Sequence, residues 1–222
     1  MSAPEALARQ VVQRLLDFYG QPVWYNPLPP VDELVSTILS QNTNDANRDR
    51  AFEALRRRFP SWEQVRDASA KEITAAIRPA GLANQKGPRI RKVLQDISSE
   101  RGALDLMFLK DLPLEDARAW LMKFKGVGPK TAAIVLLFAL GRPAFPVDTH
   151  IYRVTGRLGL LSDKMTVEKA HVHLEHLFQP DTYYAAHLNV IRLGRELCLA
   201  RKPACPRCPL RDLCKYAQEK GI

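Results

Sequence analysis

The strongest constraint on this chain is the way its apolar residues recur. Nowhere do they alternate with polar ones over the roughly four to eight residues that a half-buried strand needs, and helical spacing dominates instead. Val31, Leu34, Val35, Ile38 and Leu39 fall at i, i+3, i+4, i+7 and i+8, one stripe of a helix that ends near Ser40 and points Gln41 and Asn42 outward. Similar sets end at breakers: Phe52, Leu55 and Phe59 before Pro60; Ile73, Ala76 and Ile77 before Pro79; Ile90, Val93, Leu94 and Ile97 before Gly102. Ser2 followed by Glu5 reads as a capping box opening a helix to about Tyr19, with Gly20 supplying a left-handed end. The stretch Gln21 to Pro30 holds four prolines and is expected to cross between lobes. Helical pattern resumes through Val154, Val167 to Leu177, and Ala186 to Leu193. The expected fold class is all-α.

With 222 residues, 46% of them apolar, the chain can bury a sizeable core as one domain or two small ones. Thirty-three Lys and Arg against 24 Asp and Glu give a formal charge of +9, which attracts a polyanion, nucleic acid first and an anionic membrane surface second. The longest apolar run, 132–140, is far short of the roughly 20 residues of a membrane-spanning helix. The first ten residues lack the basic and apolar order of a signal peptide. The expectation is a soluble, cytoplasmic protein, nucleoid-associated if bacterial.

Between two helices expected over about Leu112 to Leu140 stands Phe124-Lys125-Gly126-Val127-Gly128-Pro129-Lys130-Thr131-Ala132. The glycines permit a tight turn with uncovered amides, and amides at a helix start bind phosphate. Pro129 suits the first helical position, which makes Gly128 the N-cap and Lys130 the second residue of a helix, apolar nearly all round, running to Gly141. There the helix dipole and partial desolvation disfavour an ammonium, and a neutral amine is a nucleophile. Simple pairing with phosphate is the alternative role for Lys130. Further on, Pro143 and Pro146 present Asp148 in Val147-Asp148-Thr149-His150 at a helix start, where Asp is a favoured cap and where its carboxylate can also face the cleft that Lys130 faces.

Gly126-Val127-Gly128-Pro129-Lys130-Thr131-Ala132 followed by Val147-Asp148-Thr149-His150 resembles the helix-hairpin-helix and Gly/Pro/Asp signature of the endonuclease III family of DNA glycosylases, a likeness that spans nearly the whole chain. Phe124-Lys125 replaces the Leu-Pro usual before the hairpin glycines, adding a positive charge. The resemblance implies that Lys130 forms a Schiff base with the sugar C1′ and that Asp148 activates it and stabilises an oxocarbenium-like transition state. Retention of Lys130 implies glycosylase plus β-lyase chemistry. Gly126, Val127, Gly128, Lys125 and His150 are then expected to line the DNA-binding site. By the same likeness, Asn42 in Ser40-Gln41-Asn42-Thr43-Asn44-Asp45 stands where relatives carry a plugging Gln, and Leu82 in Gly81-Leu82-Ala83-Asn84-Gln85-Lys86 where they carry an intercalating Leu.

All four cysteines, Cys198, Cys205, Cys208 and Cys214, are spaced C-x6-C-x2-C-x5-C. Four thiolates in one short loop suit a cubic cluster better than the two close pairs of a structural zinc site, although thiolates accept zinc too. The pattern is similar to the [4Fe–4S] loop of the same family. Arg192, Arg195, Arg201, Lys202, Arg207, Arg211 and Lys215 lie around it, to offset thiolate charge or to meet the DNA backbone. His171, His173, His176 and His187 have no ligand company and are expected to pack or face solvent.

These readings combine into two helical lobes with a DNA-binding cleft between them. Residues 26–143 form a six-helix lobe with the hairpin, and 1–25 plus 144–222 form the iron–sulfur lobe. The expected activity is that of a monomeric glycosylase and AP lyase acting on oxidised pyrimidines in duplex DNA. A mismatch glycosylase acting on T or U opposite G, and a non-catalytic damage-binding protein, are the alternatives.

Overall fold

The computed structural model describes residues 2–23 and 27–221. Residues 24–26, part of the proline-rich crossover and of the lobe boundary expected at Asn26, lie outside the described residues. Every regular element among the described residues is helical. None is long and apolar enough to cross a membrane. The chain divides into two compact units, Met1–Asn26 with Pro143–Ile222, and Pro27–Arg142.

Helix α1 (Ala3–Tyr19) opens on the expected capping box, Ser2 and Glu5 bonding each other's backbone amides. It closes at Gly20, whose φ is 82° but whose ψ is 175°, an extended variant of the left-handed end expected there.

The central unit holds α2 (Pro30–Ser40), α3 (Asp45–Arg58), α4 (Trp62–Asp67), α5 (Ala70–Ala76), α6 (Ala83–Arg101), α7 (Leu114–Met122) and α8 (Pro129–Ile134). Leu34, Ile38, Leu55, Ile73, Ile90 and Leu94 are fully buried in its core. Each contributes about 1.5–3 kcal/mol by leaving water. Side-chain caps start three of its helices: Asn44 for α3, and the Ser61/Gln64 and Ser69/Glu72 boxes for α4 and α5. Helix α8 does not continue as expected. From Val135 to Ala139 it widens to π register, with the Leu140 amide donating to the Val135 carbonyl. A segment apolar on nearly all sides carries no period to forbid the extra residue. Arg142 closes the unit, its Nη1 donating at 2.8 Å to the carbonyls of Leu109, Lys110 and Leu112.

The terminal unit joins α1 to α9 (Thr149–Leu158), α10 (Val167–Leu177), α11 (Tyr183–Glu196) and α12 (Lys215–Glu219), α1 packing on α10 and α11 while α9 packs on α11 and α12. Phe145 stacks on Phe178 with ring centroids 4.9 Å apart and meets the edge of Tyr183. Arg14 of α1 reaches the far end of the chain, donating to Asp212 and to the Pro209 carbonyl.

Candidate functional site

In the central unit the hairpin forms as its glycines dictate. Gly126 has φ 94°, the Val127 amide donates to the Phe124 carbonyl at 2.9 Å, and Val127 buries its side chain as an anchor. Gly128 is the N-cap of α8 with no side-chain cap, and Pro129 and Lys130 are its first two residues, as expected. Lys125 is exposed. Lys130 is half-buried, and its ammonium makes no hydrogen bond or ion pair among the described residues.

Two further loops of the same unit are fixed to this turn. Gln41 does not face outward: its Nε2 donates to the Gly126 carbonyl at 3.2 Å and its Oε1 accepts from Arg89 Nη1 at 2.7 Å. Gly126 is required twice over, since a Cβ there would also lie 2.2 Å from Arg89 Cδ. Asn42 follows, exposed at φ 54°, and Leu82 stands 47% exposed at φ 48°. Left-handed backbone at a leucine costs about 1–2 kcal/mol. Such strain, with an apolar side chain in water, collects at working sites. Below Leu82, the buried Lys86 donates from Nζ to the Leu39 carbonyl at 2.7 Å and to the Ala80 carbonyl at 2.8 Å. Burial, aided by the charge of Arg89, holds its ammonium below the usual lysine range.

In the terminal unit Asp148 caps α9, and a single oxygen does the capping. Oδ1 accepts from the amides of His150 and Ile151, each at 2.8 Å. Oδ2 accepts none among the described residues. The approach segment 144–147 is buried and extended, so its backbone polar groups need partners. Side chains provide them: His171 Nδ1 donates to the Phe145 carbonyl, His187 Nδ1 to the Pro146 carbonyl, and Glu175 accepts from the Phe145 amide. The two histidines were expected only to pack or face solvent; with Glu175, they satisfy the backbone that leads into Asp148. His150 Nδ1 faces Arg153 Nη2 at 3.1 Å. A guanidinium only donates, so Nδ1 accepts and the neutral ring carries its proton on Nε2.

The same helix is bound to the cysteine loop. Arg153 donates to the carbonyls of Cys198 and Gly194, and Arg157 donates to the Cys198 sulfur at 3.3 Å and to the carbonyls of Leu199 and Ala200. Cys198, Cys205, Cys208 and Cys214 line one small cavity with Arg157, Arg211 and Tyr216. No three His, Cys, Asp or Glu side chains among the described residues close on a point that one metal ion could occupy. Four thiols around one cavity are a ligand set that suits a group of several metal atoms. Burial pushes the Cys208 thiol up to about 11 and raises that of Cys214, the neighbouring cysteines adding to both. A metal group held there would supply the positive charge that takes those protons off.

The chain matches the profile of the HhH-GPD superfamily base excision DNA repair protein over residues 35–180 and that of the iron–sulfur binding domain of endonuclease III over residues 198–214. It is 35% identical over 185 residues to endonuclease III of Sulfolobus acidocaldarius, covering 82% of this chain and 80% of the relative. A relative from Arabidopsis thaliana is 43% identical over 144 residues, 65% of this chain, and the chain spans only 49% of that protein's length. Among solved structures, a non-covalent endonuclease III–DNA complex superposes with a TM-score of 0.83 at 26% identity, covering 100% of this chain and 99% of that one.

Proposed function

The chain belongs to the HhH-GPD superfamily of base excision DNA repair proteins and carries the iron–sulfur binding segment of endonuclease III, and from that premise we propose that it is a bifunctional DNA glycosylase and AP lyase that excises oxidised pyrimidines from duplex DNA. The observation that carries the reading is the state of its two candidate reactive groups. Lys130 stands unpaired at the mouth of α8, and Asp148 spends one carboxylate oxygen on its helix and keeps the other free.

In this reading the damaged nucleotide leaves the stack before reaction, because C1′ is out of reach inside a duplex. Asp148 Oδ2 takes a proton from the Lys130 ammonium and passes it to the departing base, after which its carboxylate stabilises the positive charge on the sugar. Lys130 Nζ then bonds to C1′ as the C1′–N bond to the base breaks, the base departing with its electron pair and a proton. The ring opens to a Schiff base, loss of a C2′ proton breaks the C3′–O bond, and water releases the lysine. The hairpin and the exposed Lys125 hold the backbone through phosphate contacts, Leu82 fills the gap left in the stack, and Asn42 meets the orphaned base on a shorter arm than a glutamine has. His150 lies two positions beyond the reacting carboxylate and lines the site.

The four cysteines would hold a [4Fe–4S] cluster, which would brace the loop and take no part in base removal. Iron and acid-labile sulfide in equal amounts, about four of each per chain, check this, and zinc alone would refute it. In this reading the enzyme acts as a monomer in the cytoplasm, at the nucleoid if the source is bacterial.

Borohydride trapping on a duplex bearing an oxidised pyrimidine tests the main reading. A covalent complex is expected with the native chain, none with Lys130→Ala, and binding without excision for Asp148→Asn. Undiminished trapping in Lys130→Ala removes the lysine from its role.

A further inference from the structure

The first turns of α6 carry two cations, Lys86 and Arg89, three positions apart, and both reach away from their own helix. Lys86 ties the last turn of α2 to the single 3-10 turn Arg78–Ala80 through the carbonyls of Leu39 and Ala80. Arg89 ties Gln41 and packs across the backbone of Gly126. Leu39 lies three residues before Asn42, and Ala80 two residues before Leu82. Leu82 is itself the N-cap of α6, its carbonyl accepting from the amides of Gln85 and Lys86. A buried lysine is an expensive way to join two carbonyls, since its charge must leave water. Carbonyls at a helix end are orphaned in any case, however, and a cation is the group that satisfies two of them at once.

We propose that Lys86 is a positioning residue for extrusion of the damaged nucleotide, holding the Leu82 wedge and the Asn42 loop in one register so that they enter the duplex together. The inference rests on the reading of the chain as a glycosylase and lyase, and deepens it. Lys86 touches neither sugar nor base. Its loss therefore weakens the step that unstacks the nucleotide and spares the chemistry at C1′.

An abasic duplex separates the two, because it offers C1′ with no base to extrude. Lys86→Met keeps an unbranched side chain one atom shorter and leaves both carbonyls unpartnered. Its kcat/KM is expected to fall about tenfold or more on a duplex with an oxidised pyrimidine, with a loss on the abasic duplex about tenfold smaller. The fluorescence rise of a 2-aminopurine beside the lesion is expected to slow by the same factor as excision. In a Leu82→Ala background, Lys86→Met should add less than about threefold, because both changes act on one step. Lys86→Gln, which keeps two N–H donors on a shorter arm, carries the same comparison with a smaller loss should Lys86→Met fail to fold. Equal losses on the two duplexes, or full additivity with Leu82→Ala, would overturn the assignment and leave Lys86 a stabiliser of the fold. A native chain that cuts neither duplex brings down the parent reading as well, and so distinguishes the two failures.

Discussion

Gly126 shows how much one residue can be asked to do. Its φ of 94° excludes most side chains, the place of its Cβ is taken by Arg89, and its carbonyl accepts from Gln41. Gly126→Ala therefore strains the turn and displaces an arginine that itself holds Gln41. A loss of about 2–3 kcal/mol in urea unfolding is expected, above the roughly 1 kcal/mol of a simple left-handed substitution. A change under about 0.5 kcal/mol would show the turn to be tolerant. Residues whose partners are sequence neighbours were legible from the start: the Ser2/Glu5 box, Gly128 as N-cap, Asp148 as N-cap. Lys86, Gln41 and Arg89 were not, because their partners stand 47, 85 and 48 positions away, and no local pattern encodes such a meeting.

Among elements, the helices with a clear period stood where the pattern put them, α2, α6 and α10 above all. Helix α4 went unread although its capping box, Ser61 and Gln64, is written in the chain; six residues are too few to establish a period. The extended approach to α9 was the other gap. A run of prolines and apolar residues announces that it is not helix, and leaves open how its buried backbone is satisfied. The answer lies 26 and 41 positions on, in His171 and His187. His187→Leu should orphan the Pro146 carbonyl and cost about 1–3 kcal/mol in stability, read by chemical denaturation. If Asp148 has the role proposed, excision falls by more than the folded fraction does. An unchanged unfolding curve would mean that water serves the carbonyl equally well.

For the whole molecule the main quantity is charge. A formal +9 on 222 residues is too little to fix a structure and enough to steer a polyanion. Affinity for duplex DNA is expected to fall by about a thousandfold between roughly 50 and 200 mM salt if about six phosphates are neutralised. Titration of a labelled duplex at several salt concentrations gives the slope, and a flat one would refute backbone contact as the source of affinity. The two compact units divide the candidate machinery, hairpin, wedge and plug in one, carboxylate and cysteines in the other, so each can be damaged separately by mutation. The exposed Leu82, held in left-handed backbone, has one more consequence. A lineage drifting under selection for thermal endurance alone would soon exchange it for glycine or asparagine and gain by doing so. A leucine there costs durability, and the trait that offsets the cost has to be found in what the chain does to other molecules.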